Sequence, residues 1–210
     1  MRPFSDILEN RDIHAIVMGV SAGGLAALNA ILPLLSPDLA PPVIIVQHMS
    51  PDSDDFLVRH FDKHCRIRVK EAEDKMPIEN RTIYFAPPNY HLLVEEDHRF
   101  ALSTAERIQF SRPAIDVLFE TAADVYTSGL LGVVLTGANR DGTKGVARIR
   151  ALNGLVLAQS PQTAEMDIMP RSAIETGVDA VLDLDDIAPF INQLTQGQSG
   201  EDGQTFDPHR

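Results

Sequence analysis

Residues 13–24 read Ile-His-Ala-Ile-Val-Met-Gly-Val-Ser-Ala-Gly-Gly, and this stretch decides the fold. Ile13 to Val20 forms an apolar run with the length and composition of a buried strand. Gly23 and Gly24 follow it and predict a tight turn into a helix that continues to about Leu35. A buried strand that leads directly into a helix begins a βα unit, which predicts an α/β protein with parallel strands.

The same alternation of apolar runs and helical segments continues along the chain. The runs are nearly continuous, which is typical of parallel strands buried on both faces. Two short runs, 91–94 and 99–102, flank a charged turn and predict one antiparallel hairpin. We therefore predict a doubly wound α/β fold with a mainly parallel sheet, helices on both faces and that hairpin. The other predicted strands are 42–47, 67–69, 82–86, 130–136, 155–159 and 179–182, and the other helices are 54–63, 113–123, 141–152, 170–176 and 185–194.

Composition and charge exclude several classes of protein. The 210 residues are 44% hydrophobic and 23% charged, which is ordinary for a globular domain. The formal net charge of −12 argues against general binding to nucleic acid or to anionic membranes, because those partners need a basic face. No apolar stretch approaches the roughly 20 residues that span a bilayer, and the polar N-terminus is unlike a signal peptide.

The only cysteine, Cys65, excludes an internal disulfide and indicates a reducing compartment. His60 and His64 precede it and loosely resemble a metal cluster, but the sequence offers no second half of such a site. We therefore predict a cytoplasmic protein without a bound metal ion.

The predicted domain boundaries follow from where the strand and helix pattern begins and ends. Residues 1–12 precede the first strand and form a short N-terminal lead. Residues 13–195 form one domain without a visible repeat or linker. Residues 196–210 are rich in Gly, Gln, Asp and Ser and have almost no apolar side chains, so we expect a disordered tail.

Three polar residues follow predicted parallel strands: Ser21, His48 and Asp141. The carboxyl ends of parallel strands share one edge of the sheet, and functional residues collect there. A serine becomes a nucleophile when a base takes its proton, a histidine can be that base, and an aspartate can orient the histidine. The free N–H groups of the helix after Ser21 would suit an oxyanion. The three residues are therefore candidates for a catalytic triad.

Each of these residues also has a simpler interpretation. Ser21 could cap its helix or hold a phosphate in a nucleotide-binding protein, and the motif by itself favours neither the catalytic nor the structural interpretation. Against nucleotide binding, the turn lacks the Gly-x-Gly-x-x-Gly spacing. His48 could be a buried histidine bonded to backbone, and Asp141 could cap the helix that it precedes.

The segments that carry these residues are Gly-Val-Ser-Ala-Gly-Gly (19–24), Val-Gln-His-Met (46–49) and Leu-Thr-Gly-Ala-Asn-Arg-Asp-Gly (135–142). This ordered set resembles the catalytic domain of the chemotaxis protein-glutamate methylesterases, the CheB family. The resemblance runs from about Ile13 to Leu194 and implies that 13–195 is a methylesterase catalytic domain with the doubly wound α/β fold. Further matching segments are 85–94, 111–119 and 159–177.

The resemblance implies an enzyme that demethylates glutamyl methyl esters on the cytoplasmic helices of chemoreceptors and releases methanol. Many members of the family also deamidate receptor glutamines. The implied partners are the methylated receptor and a sensory kinase or separate response regulator, with no nucleic acid and no membrane insertion. No metal or organic cofactor is implied.

The matching positions imply a role for each candidate residue. Ser21 would be the nucleophile, His48 the general base and acid, and Asp141 the orienting acid. The other implied site residues are Ala138 and Ala22, whose backbone N–H groups would form the oxyanion hole, and Arg112 on the substrate side.

The sequence departs from the family pattern in three places. A phosphoacceptor receiver domain usually precedes the catalytic domain, whereas about twelve residues precede the first strand here, so we expect no phosphorylation control in cis. Ala138-Asn139 replaces the usual Met-Gly, and Asn would be restricted if that position needs a positive φ. Ser111 replaces an expected His, and Met166-Asp-Ile replaces the usual aromatic-Gly before Met169. An alternative is therefore a catalytically weak receptor-docking or regulatory module of the same fold.

Overall fold

A computed structural model of the chain describes residues 12–50 and 52–196. The predicted N-terminal lead, apart from residue 12, and the predicted tail, apart from residue 196, lie outside the described residues. Within the described part, the predicted α/β fold is confirmed. None of the helices there is long and apolar enough to cross a membrane.

Seven parallel strands form one sheet, and two antiparallel strands form a separate hairpin. The hairpin is the one predicted between two short apolar runs. The sheet strands are β1 (Ala15–Val20), β2 (Val43–Gln47), β3 (Arg68–Glu71), β4 (Thr82–Phe85), β7 (Leu130–Val134), β8 (Leu155–Gln159) and β9 (Ala180–Leu182), and the hairpin strands are β5 (His91–Val94) and β6 (Phe100–Ser103). Their order in the sheet is β3-β4-β2-β1-β7-β8-β9.

Helices cover both faces of the sheet. Strand side chains point alternately to the two faces, and both sets are apolar, so each face packs against helices in its own apolar layer. Ile16 and Met18 of β1 pack in one layer, and Ala15 and Val17 pack in the other. The helices in the described part are α1 (Gly24–Ile31), α2 (Phe56–His64), α3 (Ile115–Tyr126), α4 (Thr143–Ala151), α5 (Ile168–Thr176) and α6 (Leu184–Thr195), with 3₁₀ turns at Leu32–Leu34 and Thr127–Gly129. Their ends differ from the predicted ends by a few residues, as helix termini commonly do.

The winding of the sheet reverses between β1 and β7, which are adjacent and parallel. In such sheets the crevice outside the carboxyl ends of the strands at the reversal is the usual binding site. Gly19 of β1 lets α3 pack closely at this point, since a Cβ there would lie 2.5 Å from Cγ2 of Ile115. The loops after β1, β2 and β7 therefore meet at one edge, under the first turn of α3.

Candidate active site

Ser21 directly follows β1 and lies on a tight turn into α1. Its N–H donates a hydrogen bond of 3.0 Å to the carbonyl of Thr136, which extends the pairing of β1 with the β7 segment. Gly23 has φ of 78°, a left-handed conformation that side chains rarely adopt. A Cβ at Gly23 would also lie 2.7 Å from the Cβ of Glu165. Both constraints hold Ser21 at the carboxyl edge of the sheet, just before the N-terminus of α1.

His48 directly follows β2 and lies beside Ser21. The N–H of His48 donates to the carbonyl of Val20 at 3.0 Å. The Gln47 side-chain amide joins the two loops, because its Nε2 donates to the carbonyls of Ser21 at 3.0 Å and His48 at 2.9 Å. As a result, Nδ1 of His48 lies 3.2 Å from the Oγ of Ser21.

Asp141 completes the line of three residues from the loop after β7. Its Oδ2 lies 2.9 Å from Nε2 of His48, and the residue is 1% exposed. A carboxylate only accepts hydrogen bonds, so Nε2 carries the imidazole proton and Nδ1 is left as an acceptor. An imidazole in this tautomer can take the proton of the Ser21 hydroxyl.

The carboxylate of Asp141 is fixed by three backbone N–H groups as well. Its Oδ2 accepts from Ile115 at 2.7 Å, and its Oδ1 accepts from Asp116 at 3.0 Å and Gly142 at 2.9 Å. Asp141 therefore does cap a helix, but the helix is α3 rather than α4, which it precedes. Asp116 of α3 acts in return on α4, because its Oδ1 accepts from the N–H of Gly145 at 3.0 Å. This reciprocal capping locks the carboxylate in place against the imidazole.

Two further side chains reach Nδ1 of His48. Ser111 Oγ lies 3.4 Å from it, and Asn139 Nδ2 lies 3.5 Å from it. The restriction expected at Asn139 does not arise, because its φ is not positive. Instead its Oδ1 accepts from the N–H of Asp141 at 3.1 Å, which tightens the loop.

The backbone N–H groups of Ala22 and Ala138 are available to a ligand. Neither donates a hydrogen bond to any acceptor in residues 12–50 and 52–196. Ala22 follows Ser21 in the turn before α1, and Ala138 is exposed in the loop after β7. Their role as oxyanion donors stays a prediction, which is supported by the absence of another acceptor for these two N–H groups among the described residues.

An open groove of about 570 Å³ leads from Ser21 along the first turn of α1. Its lining is small or apolar for the most part, and among the described residues Glu165 is the only charged one in it. Within the described part of the chain, the Glu165 carboxylate has no ion-pair partner. The other lining residues are Ser21, Gly23, Gly24, Leu25, Ala26, Asn29 and Gln47.

Arg112 holds neighbouring loops together. Its Nη1 donates to the carbonyls of Thr104 at 2.7 Å and Ala105 at 3.0 Å, and its Nη2 donates to Oδ1 of Asn89 at 2.8 Å. These bonds occupy much of the guanidinium. Its predicted contact with substrate stays a prediction.

The three residues that loosely resembled a metal cluster make other contacts. His60 Nε2 lies 2.7 Å from Oδ1 of Asn29, and His64 Nδ1 lies 2.6 Å from the carbonyl of His60. Burial, helped by Asp62, raises the pKa of the Cys65 thiol to about 11, so the thiol is protonated at neutral pH. Among residues 12–50 and 52–196, no group of three or more His, Cys, Asp or Glu side chains could hold a metal ion.

Asp116 was not predicted from the sequence, where it only interrupts the apolar pattern of the helix 113–123. It is 1% exposed, and its Oδ2 has no hydrogen-bond partner among the described residues. Burial raises the pKa of the Asp116 carboxyl from 3.8 to about 6; the N–H of Gly145 opposes this shift and the charge of Asp141 adds to it. The Asp116 carboxyl, next to Asp141, thus titrates at about pH 6.

We expect Asp116→Asn to remove a pH dependence of stability. The folded protein binds this proton more tightly than the unfolded chain, so the contribution of Asp116 is most favourable below pH 4 and falls as the pH rises to about 6. The free energy of unfolding of the variant, relative to wild type, should therefore rise by roughly 2–3 kcal/mol from pH 4 to pH 7. Urea unfolding of both proteins across this range measures it. A difference that stays constant with pH would contradict the titration of Asp116 there.

Comparison with known proteins finds the same family over most of the chain. Residues 16–191 match the family model described as CheB methylesterase. The crystal structure of the Thermotoga maritima CheB methylesterase catalytic domain superposes with a TM-score of 0.83 at 34% identity, covering 87% of this chain and 99% of that one.

Two curated relatives differ in length. A protein-glutamate methylesterase/protein-glutamine glutaminase of Symbiobacterium thermophilum is 37% identical over 174 residues, which cover 83% of this chain but 47% of the relative. A relative from Leptospira interrogans, named "Putative protein-glutamate methylesterase/protein-glutamine glutaminase", is 52% identical over 184 residues. That match covers 87% of this chain and 95% of the relative.

Proposed function

This chain belongs to the CheB methylesterase family, and on that premise we propose that it hydrolyses γ-glutamyl methyl esters of proteins and releases methanol. The observation that carries the proposal is the hydrogen-bonded line from Ser21 to His48 to Asp141, with separations of 3.2 and 2.9 Å. The test is release of methanol from a methylated receptor protein by the wild-type chain and by Ser21→Ala.

The geometry supports a two-step mechanism. Nδ1 of His48 takes the Ser21 proton as Oγ attacks the ester carbonyl carbon, and Asp141 stabilises the resulting imidazolium. The N–H groups of Ala22 and Ala138 are the proposed donors to the oxyanion. The imidazolium then protonates the methoxy oxygen, methanol leaves, and a water activated by the same nitrogen hydrolyses the acyl-enzyme.

The same proposal extends to a second reaction, to the protein substrate and to the compartment. The names of the relatives include protein-glutamine glutaminase, which supports deamidation of glutamine as a second reaction. The proposed substrates are the cytoplasmic helices of methylated chemoreceptors, so we propose that the enzyme acts in the cytoplasm, with 13–195 as the catalytic domain. A sensory kinase or a separate response regulator as partner stays a prediction.

The alternative of a docking module without catalysis makes a different prediction about Ser21. A serine without an activating base should not react with a fluorophosphonate, whereas a serine that donates to His48 should be labelled. Nothing in the geometry favours the alternative, because Nδ1 of His48 lies 3.2 Å from the Oγ of Ser21, within hydrogen-bond reach of a base.

The turn before Ser111 supports a protein rather than a small molecule as substrate. Ile108 and Ser111 exchange two backbone hydrogen bonds, of 3.1 and 2.8 Å, around Gln109 and Phe110. Both central residues have positive φ, 46° and 67°, in a turn that normally uses Gly or Asn. Phe110 is 94% exposed at its tip, one residue from a contact of His48. Strain of this kind concentrates at functional sites, and an apolar ring there suits contact with a partner protein.

We expect Phe110→Ala to raise KM for the methylated protein by about fivefold, because covering part of the ring is worth about 1 kcal/mol. Hydrolysis of a small ester should change little, since the exposed ring makes few contacts within its own chain. Leu34→Ala is the matched control, because Leu34 is 59% exposed but follows α1, away from the catalytic edge. Equal KM values for wild type and Phe110→Ala on the protein substrate would contradict the role of this turn.

A further inference from the structure

Three polar groups converge on one nitrogen, Nδ1 of His48. The nearest is Ser21 Oγ at 3.2 Å, followed by Ser111 Oγ at 3.4 Å and Asn139 Nδ2 at 3.5 Å. The proposed mechanism uses only the first. Ser111 and Asn139 are also two of the positions at which this sequence departs from the family pattern, and they come from different loops. Their convergence on the proton-transferring nitrogen therefore needs a separate explanation.

The orientation of the Asn139 side chain is fixed by its other end. Its Oδ1 accepts the N–H of Asp141 at 3.1 Å, and an N–H group cannot donate to an amide NH₂. Nδ2 must therefore be the end that faces His48. Asn139 presents a pure hydrogen-bond donor to this space, whereas the hydroxyl of Ser111 can donate or accept.

The space beside Nδ1 is where the leaving group must lie. After Ser21 attacks, Nδ1 carries the proton that the departing atom needs, so that atom has to come within hydrogen-bond reach of Nδ1. Side chains that surround Nδ1 then line the leaving-group position. The attacking water of the second step has to occupy the same position, because the same nitrogen takes its proton.

We propose that Ser111 and Asn139 form the leaving-group subsite, and that Asn139 makes it selective for an ester oxygen over an amide nitrogen. This inference rests on the proposed methylesterase function and deepens it, since it concerns the choice between demethylation and deamidation. Ser111 and Asn139 contact the departing atom or the water, while Ser21, His48 and Asp141 carry the covalent chemistry.

Donor and acceptor pairing gives the selectivity. The methoxy oxygen of the tetrahedral intermediate has two lone pairs, so one can accept the proton of His48 while the other accepts from Nδ2 of Asn139. The NH₂ group of a glutamine substrate has a single lone pair, which the proton of His48 uses, and its two N–H bonds would meet the N–H bonds of Asn139. The amide reaction thus leaves one donor unpaired.

In both steps, each bond that forms replaces one that breaks, and Nδ1 of His48 passes on every proton that it takes. The bond between the substrate's carbonyl carbon and the methoxy oxygen breaks, its electron pair stays on the methoxy oxygen, and that oxygen takes the proton from Nδ1 to leave as methanol. A water then fills the subsite, gives one proton to Nδ1 and forms the new carbon–oxygen bond. Ser21 Oγ departs and takes that proton back.

The test compares two peptides that differ only in a γ-glutamyl methyl ester or a glutamine, with the full chain as enzyme. The measured quantity is the ratio of kcat/KM for ester to kcat/KM for amide. Asn139→Asp keeps an oxygen for the N–H of Asp141 but replaces the donor with an acceptor, and it should lower the ratio by about tenfold or more. Asn139→Ala, which adds no charge, should lower it by about fivefold.

Two further variants complete the design. Ser111→Ala should lower both rates and leave the ratio within about twofold, because a hydroxyl serves either leaving group. Asn80→Asp is the matched charge control, since Asn80 is exposed and lies before β4, away from the carboxyl edge. A methyl thioester peptide gives a second comparison, because sulfur is a weak acceptor and should gain little from Asn139.

The outcomes separate the inference from the proposed function. The subsite is supported if both Asn139 variants have lower ratios of kcat/KM than wild type, for ester over amide and for ester over thioester. Ratios that equal the wild-type ratio, with both rates reduced together, would mean that Asn139 only supports the loop and would overturn it. A wild-type chain that turns over neither peptide and is not labelled at Ser21 would refute the proposed function itself.

Discussion

Ser21→Ala is expected to lower kcat for methyl ester hydrolysis by about 10⁵-fold. The variant removes the proposed nucleophile, whose Oγ lies 3.2 Å from Nδ1 of His48. Ser111 Oγ lies 3.4 Å from the same nitrogen, but the turn before α1 presents Ser21 to the groove. Methanol release from a methylated receptor measures the loss.

Stability should be nearly unchanged in Ser21→Ala, because within the described part of the chain the Ser21 side chain hydrogen-bonds to His48 alone. Ser128→Ala is the matched control, since Ser128 is exposed just before β7, at the opposite edge of the sheet. Fluorophosphonate should label wild type and Ser128→Ala, but not Ser21→Ala. Substantial methanol release by a folded Ser21→Ala protein would defeat the assignment of the nucleophile.

The fold was predictable because its central strands are buried on both faces. β1, β2 and β7 are wholly buried, so their sequences are apolar runs that differ clearly from the helical segments. The edge strand β3, Arg68–Glu71, is only partly buried and three of its four residues are charged, and the sequence predicted it as the shorter segment 67–69. The family resemblance, which rests on ordered motifs, is confirmed over residues 16–191.

The positions of the three proposed triad residues were also predictable, since each follows a buried strand and strand ends share an edge. The hydrogen bonds that hold these residues in place were not predictable. The contact of Asp116 with Gly145 joins residues that are 29 positions apart, and the side-chain bonds of Gln47 join two loops. Helix periodicity places a residue on a face, but it does not show that a buried carboxylate caps a neighbouring helix.

Asn139 is a second case in which the sequence did not predict the contacts of a side chain. The sequence marked it as a departure from a Gly, and the expected effect was on backbone conformation. The actual effect is on hydrogen bonding, because the side chain joins the N–H of Asp141 to the space beside His48. A backbone rule identified the right position, but only the three-dimensional arrangement shows which atoms the new side chain meets.

The environment of Asp141 explains why we expect this loop to affect both folding and catalysis. One carboxylate receives N–H groups from the start of α3, from its own loop and from His48. The helix N-terminus stabilises the negative charge, and the charge in turn orients the imidazole. In the proposed mechanism, the orientation of His48 and the packing of α3 are therefore set by the same two oxygen atoms.

Asp141→Asn is accordingly expected to damage activity and stability together. The amide has one acceptor oxygen, and its NH₂ group must face either the donors of His48 and Ile115 or those of Asp116 and Gly142. If it faces Asp116 and Gly142, both of their N–H groups are unsatisfied; if it faces His48 and Ile115, only the N–H of Ile115 is unsatisfied, because the imidazole can change tautomer and accept. The free energy of unfolding should therefore fall by about 1–4 kcal/mol. The imidazole also loses the group that fixes its tautomer, which should lower kcat by about 10⁴-fold.

Urea unfolding and methanol release, measured at a temperature where the variant is folded, separate the two effects. Asp124→Asn is the matched control, because Asp124 is an exposed residue of α3 paired with Arg148 at 2.6 Å. An exposed ion pair contributes less than about 1 kcal/mol, and the control should keep full activity. A folded Asp141→Asn protein with activity within tenfold of wild type would show that His48 is oriented by something other than Asp141. Lost activity with unchanged stability would instead show that the bonds to α3 contribute little to folding, and that the carboxylate acts on the imidazole alone.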